Sequence, residues 1–376
     1  MESIKILHCA DFHFDSPFSE LTNSLGEKRK EDLRETFGKM VGIARQENVH
    51  LLFLCGDLFD NRRVSRTTIE YLIACLREIP QIQVFISPGN HDPYHQESYY
   101  QLLEWPQNVH IFQGELTKVE LPELNACVYG RGFTRAHVQE SLLQGFTVDD
   151  PQKINMMALH GDVVAPGQDS DYNPLTVEEI AASGLDYLAL GHCHSYTGLC
   201  KAGNTTWAYP GCPEGRAFDE TGEKGIIVGE VGKEGCRLDF WAIAKRKYLV
   251  EKIDISNYLT YEQIAAKILE TVQELEPGKN LFKLVLQGAL SEDFLFYPSV
   301  LQEKLAEQFY YLQIKDETTT AVDPQLLVHD FTLRGLFVKR VLEYKEKAAD
   351  ESERRKAEQT LKYGLRILEQ GEAGIE

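Results

Sequence analysis

Residues 84–95 read VFISPGNHDPYH: a run suited to a buried strand, then an amide, an imidazole and a carboxylate within three positions. A turn accounts for Pro88, Gly89 and Pro93, and for the tolerance of Asn90 and Asp92 to left-handed or Asx geometry. It does not account for the recurrence of the same junction elsewhere. IKILHCADFH at 4–13, VHLLFLCGDLFD at 49–60, INMMALHGD at 154–162 and LDYLALGHCH at 185–194 each pass from an apolar run into Asp, Asn or His. These five runs alternate with helical patterns at 28–47 and 66–78, as in a layered α/β domain, and runs near 204–209, 225–231 and 236–243 read as antiparallel hairpins.

In open α/β sheets ligands lie beyond the carboxyl ends of the strands, so loops distant in sequence converge there. The five ends contribute Asp11, His13, Asp57, Asn90, His160, His192 and His194, all oxygen or nitrogen donors. Imidazole and carboxylate without thiolate disfavour a closed structural zinc site and suit one or two ions such as manganese, iron or zinc. Each short motif alone is compatible with a helix cap or a buried polar pair. Together they hold five of the 11 histidines, while His8, His50, His95, His110, His137 and His329 lack that setting and read as core or surface residues.

The 376 residues carry 58 acidic and 39 basic side chains, a formal net charge of -19. That balance argues against an unaided polyanion binder. Apolar runs such as LLFLC at 51–55 are too short to span a bilayer, and the amino terminus has no basic stretch leading into an apolar one. Eight scattered cysteines without a CxxC pair suit buried, reduced thiols. The expectation is a cytoplasmic protein with no membrane association.

Near residue 245 the organisation changes. KYLVEKIDIS, YEQIAAKILETVQEL, LFKLVLQGAL, PSVLQEKLAEQF and YYLQIKD read as a β-α-β-α-β unit, and from about 325 the chain is helical and charged. Leu361, Leu365 and Leu368 form a narrow apolar stripe at helical spacing.

In order and wording, DFH, GDLFD, GNHD, a lone HG and GHCH resemble the signature of the calcineurin-like metallophosphoesterases. HCADFHFDSPF, GDLFDNRRVS and YPGCPEGRAFDETGEKG at 209–225 are similar to the SbcD-type DNA repair exonucleases, the bacterial relatives of the double-strand-break repair nuclease. The resemblance covers residues 3–243 well and the remainder in architecture only. It implies an α/β fold, a layered α/β/β/α metallophosphoesterase sandwich with a small α/β capping domain and a helical C-terminal arm. The expected division is 1–244, 245–322 and 323–376.

Carried onto this chain, the family pattern assigns one ion to Asp11, His13, Asp57 and His194, and the other to Asp57, Asn90, His160 and His192, with Asp57 bridging. It makes His91 a catalytic group beside the leaving oxygen rather than a ligand, and places Asp60 behind it, orienting His91 or a ligand. The implied cofactor is two divalent ions, manganese preferred. The implied activity is exonucleolytic, and endonucleolytic on single strands of DNA.

Residues 1–244 hold 20 basic and 35 acidic side chains, net -15, and residues 245–376 hold 19 and 23, net -4. A DNA-cutting surface must therefore be local or borrowed. Arg62, Arg63 and Arg66 are the candidate phosphate contacts, followed by Lys245, Arg246 and Lys247. The resemblance supplies a partner, an SbcC-type coiled-coil ABC ATPase docked on the C-terminal arm, alongside DNA and a homodimer. A phosphatase or small-molecule phosphodiesterase, and a mainly structural subunit of an ATPase complex, are the alternatives.

Overall fold

The computed structural model describes residues 3–60, 64–291, 294, 296–321, 327–348 and 350–370. The chain divides into two compact units, Met1–Tyr248 and Leu249–Glu376.

The first unit is built on two six-stranded sheets. One runs β12 (Gly235–Ala242), β11 (Gly225–Gly232), β1 (Ser3–Cys9), β2 (Leu51–Leu54), β3 (Gln83–Ile86), β4 (Val109–Ile111). The other runs β5 (Thr117–Leu121), β6 (Ala126–Gly130), β7 (Ile154–His160), β8 (Tyr187–Gly191), β10 (Thr205–Ala208), β9 (Cys200–Ala202). The two-residue period of a strand divides the apolar side chains between two cores. In β7, Ile154, Met156 and Ala158 join Ile4, Ile6, Phe53 and Phe85 of the facing sheet. Met157 and Leu159 point the other way, onto Leu142, Leu175 and Ile180. Helix α1 (Asn23–Gln46) buries Leu33, Phe37, Met40 and Ala44 at three- and four-residue spacing, with the Phe37 ring edge-on to Phe12 and Phe14 just after β1. The result is mixed α/β architecture around two multi-stranded sheets. All eight cysteines are unpaired, and no described helix is long and apolar enough to cross a membrane.

One expectation needs correction. β11 and β12 form the antiparallel hairpin, but β10 lies in the other sheet, parallel to β8 and antiparallel to β9. The reason is register: Thr206–Ala208 continues the second sheet's ladder beside Tyr187–Ala189, and the chain crosses to the first sheet only afterwards.

His8 sits between the sheets, its Nδ1 2.8 Å from the Tyr187 hydroxyl and its Nε2 3.1 Å from the Leu190 carbonyl. Burial pushes its pKa down to about 3 against the opposing pull of that carbonyl. The folded chain thus keeps His8 neutral where the unfolded chain binds a proton below about pH 6.5. Its contribution is complete above that pH and is lost at about 1.4 kcal/mol per pH unit as pH falls from 6.5 toward 3. Urea unfolding should therefore show His8→Gln narrowing the stability gap between pH 6.5 and pH 5 by about 2 kcal/mol. An unchanged gap would mean that His8 is protonated in the fold.

The second unit follows the order β13 (Tyr248–Asp254), α5 (Tyr261–Val272), β14 (Leu281–Ser291), α6 (Pro298–Leu305), β15 (Tyr311–Ala321), with β14 central and parallel to β15. Ile264, Ile268 and Leu301 of its helices pack on Ile253, Leu284 and Leu286. Helices α7 (Leu333–Glu346) and α8 (Glu351–Gln370) lie antiparallel, with Lys345 paired to Glu358 and Gly364 against the Phe337 ring. Leu361, Leu365 and Leu368 share the Gly364 face. Leu365 is buried, whereas Phe331, Leu333, Leu336 and Tyr344 are exposed.

Candidate metal centre

β1, β2 and β3 are mutually parallel, as are β7 and β8, so the carboxyl ends of both sheets supply the five loops. The loops crowd closely. A Cβ on Gly191 would stand 1.6 Å from the Cys55 carbonyl, and one on Gly89 2.2 Å from Asp57 Oδ1. Asp11, His13, Asp57 and His192 adopt positive φ, at 55°, 48°, 50° and 111°. Each such residue costs about 1–3 kcal/mol, a strain that tends to gather at functional sites.

All seven sequence-selected donors meet here. His13 Nε2 lies 3.2 Å from His194 Nε2. Asp57 Oδ2 lies 3.6 Å from His13 Nε2 and 3.5 Å from His160 Nε2. Asn90 Oδ1 faces His160 Nε2 at 2.9 Å and His192 Nδ1 at 3.2 Å. Asp11 Oδ1 lies 3.9 Å from His194 Nε2, and both Asp11 oxygens accept from the His192 backbone N–H at 3.1 Å.

The outward nitrogens of the four imidazoles explain the inward ones. His13 Nδ1 faces Asp60 at 3.1 Å, His194 Nδ1 faces Glu220 at 2.7 Å, His160 Nδ1 faces the Cys55 carbonyl at 3.0 Å, and His192 Nε2 faces Asp162 at 3.2 Å. Each acceptor favours the tautomer with the ring proton outward and a bare lone pair pointing in, while at His194 the Arg216 guanidinium, a donor 3.0 Å from Nδ1, pulls the other way. Two bare Nε2 atoms 3.2 Å apart, or a bare Nε2 opposite an amide oxygen, repel each other unless a cation lies between. The donor set therefore fits divalent metal, and Asp57 stands where two such groups meet.

Electrostatics agree. Burial lowers His13 and His160 to about 4, against the raising effects of Asp60 and Asp57, so both are neutral donors at pH 7. Burial, then the Asp57 charge, pushes Asp11 well above the usual carboxylate range. Burial would raise Asp57 too, but His160, His13 and His91 hold it at about 2.

His91 is half-exposed at the edge of the cluster, its backbone N–H donating to Asp57 Oδ1 at 2.9 Å and its Nδ1 3.4 Å from Asp60. Asp60 thus lies between His13 and His91. Arg62 and Arg63 fall outside the described residues. Arg66 is exposed and paired with Glu70, Lys245 with Asp32 and Glu35, Arg246 with Asp32, and Lys247 with Glu223. These four cations are engaged within the chain.

Sequence reasoning passed over four residues. Asp162 fixes His192, and its signal in the sequence is the HGD triplet, in which it follows His160 and Gly161. Glu220 fixes His194 and also accepts from Arg216, whose guanidinium lies 3.7 Å from Asp60. Burial would raise Glu220, but His194 and Arg216 hold it well below the usual range. Asp92 accepts from the backbone N–H groups of Gly89, Phe59 and Asp57 at 2.8, 3.0 and 3.2 Å, pinning two loops together.

The model of the calcineurin-like phosphoesterase family matches residues 4–196, just over half of the chain. The chain belongs to that family. Its members carry a dinuclear divalent-metal centre, and the donor cluster described above is this chain's candidate for it. The chain is 28% identical over 342 residues to the uncharacterized metallophosphoesterase YhaO of Bacillus subtilis, covering 85% of this chain and 83% of YhaO. It is 24% identical over 330 residues to the DNA double-strand break repair protein Mre11 of Methanosarcina acetivorans, covering 83% of this chain but only 50% of that protein. A 94-residue segment is 31% identical to the SbcD subunit of the nuclease SbcCD of Rhodobacter capsulatus, covering 24% of this chain and 22% of that one.

Proposed function

We propose that this phosphoesterase is a two-metal DNA nuclease, cutting duplex ends and single strands, and that it works as the nuclease subunit beside an SbcC-type coiled-coil ATPase. The observation that carries the two-metal part is Asp57, placed between the His13/His194 pair and the His160/Asn90/His192 group. The DNA part is supported by the names of the Mre11 and SbcD relatives.

Asp11, His13, Asp57 and His194 would hold one ion, and Asp57, Asn90, His160 and His192 the other. Manganese suits this thiolate-free set. The chemistry that two divalent ions would supply there is polarisation of a phosphoryl oxygen and a water made nucleophilic at neutral pH. Asn90 contributes oxygen without charge, which keeps the centre electrophilic. His91, beside Asp57 yet open to solvent, donates a proton to the departing oxygen, with Asp60 orienting the ring. Glu220 and Asp162 lock two ligands in the productive tautomer. Glu220→Gln should weaken one of two metal equivalents by about 10- to 100-fold and spare the other. Stepwise competition with a chelator reads this, and two equally tight equivalents would contradict it.

Residues 1–244 would form the nuclease domain, 245–322 the small α/β capping domain, and 323–376 the arm that docks the partner. Among the described residues, the exposed large apolar side chains of this arm are Phe331, Leu333, Leu336 and Tyr344, while Leu365 of the Leu361–Leu365–Leu368 stripe is buried.

The acidic balance of residues 1–244 favours a second reading, hydrolysis of a small phosphodiester. The test is manganese-dependent digestion of end-labelled duplex and single-stranded DNA alongside bis(p-nitrophenyl) phosphate. The nuclease reading expects all three to be cut and EDTA to stop each. Cleavage of the aryl diester with DNA untouched would favour the second reading.

A further inference from the structure

A cavity of about 520 Å³ adjoins the metal centre, with Asn90 and His91 in its lining. Phe59, Pro93, Tyr99 and Arg135 are among the other residues that line it. The volume falls in the range of small-ligand pockets. The Phe59 and Tyr99 rings pack 5.2 Å apart at a tilt, so the lining is aromatic and rigid. Arg135 is exposed and forms no ion pair among the described residues, unlike Arg66, Lys245, Arg246 and Lys247. In a chain with a net charge of -19, an unengaged cation in the lining of an aromatic cavity suits a ring next to a phosphate.

We infer that this cavity seats the base of the nucleotide on the leaving side of the scissile phosphate. The inference rests on the nuclease reading and on His91 facing the leaving oxygen. Whatever is bonded to that oxygen then passes His91 and enters the cavity. Tyr99 offers a partly exposed ring on which any base can stack, held from behind by buried Phe59, and Arg135 meets the base face. The site thus prefers leaving groups that carry a flat ring, without choosing among bases.

Two measurements test this. The first compares a dinucleoside monophosphate with the same molecule lacking the base on the leaving side, that side being identified by which product retains the phosphate. Removing the base should lower kcat/KM by about 5- to 150-fold in the wild type. Tyr99→Leu and Arg135→Ala should each lower kcat/KM for the complete substrate and shrink that difference. Equal cleavage of both substrates by the wild type would overturn the proposal. The second needs no turnover: 2-aminopurine deoxyribonucleoside is titrated into the manganese-loaded chain and its fluorescence followed. Saturable quenching should weaken severalfold in both variants while melting temperature and metal content stay constant. Arg135 is exposed, so its replacement decides the matter even if Tyr99→Leu fails to fold. Absent quenching, or quenching that both variants retain in full, would overturn the proposal. A chain that cuts neither the dinucleotide nor end-labelled DNA but shows quenching dependent on these side chains would refute the nuclease reading and uphold the cavity as a nucleoside site.

Discussion

Replacing Asp57 with Asn should strip the chain of both metal equivalents and lower phosphodiester hydrolysis by roughly 10³-fold or more, since the Lewis-acid contribution of bound metal amounts to several kcal/mol. Asn suits the left-handed backbone that Asp57 occupies at φ 50°, so the substitution removes charge without a conformational penalty. The carboxylate is fully buried, and its Oδ2 is nearly equidistant from His13 and His160. Asp11 also lies within reach of both groups, but it is Asp57 Oδ2 that stands 3.6 Å from His13 Nε2 and 3.5 Å from His160 Nε2. Elemental analysis after dialysis reads the result. One full equivalent retained by the variant would show that Asp57 serves a single ion, whereas His160→Ala or His192→Ala should empty mainly one site.

His91→Ala should have the complementary effect: metals retained, fold retained, and a rate lower by about 100- to 10,000-fold, the usual share of a positioned proton donor. The side chain touches the cluster only at its edge, through Asp60 and the edge-on ring of His13, and it is open on the side of the cavity. Truncation therefore leaves the inward lone pairs of His13, His160, His192 and His194 where they are. The loss should be largest for substrates with poor leaving groups, and small for an activated aryl diester whose oxygen departs without a proton. A uniform loss across both substrates would place His91 in binding rather than proton transfer.

The donors were legible in the sequence because strand termini punctuate it. An apolar run ending in Gly-Asp, Gly-Asn or Gly-His marks both the end of a strand and the close approach that only glycine permits, as at Gly89 and Gly191. The layered class followed from the same runs. Less legible were the residues that act through geometry. Glu220 is 26 positions from His194 and meets it only because the loop after β10 folds back over the centre. The pairing of β10 with β8 was equally hidden, since three short apolar runs in succession look alike whether they form one meander or pass between sheets. Ion pairing is also a property of the fold: Lys245, Arg246 and Lys247 look like a basic patch as letters, yet Asp32, Glu35 and Glu223 claim them. The stripe at Leu361, Leu365 and Leu368 was correctly periodic, but periodicity does not tell what covers it, and Leu365 turns out to be buried within the chain.

Crystals of the full chain grown with manganese, with diffraction recorded at the manganese edge, examine the dinuclear centre most directly. The arrangement of donors predicts two anomalous peaks about 3.5–4 Å apart, one against His13 and His194, the other against Asn90, His160 and His192, with Asp57 touching both. A single peak, or two that do not share Asp57, would contradict it.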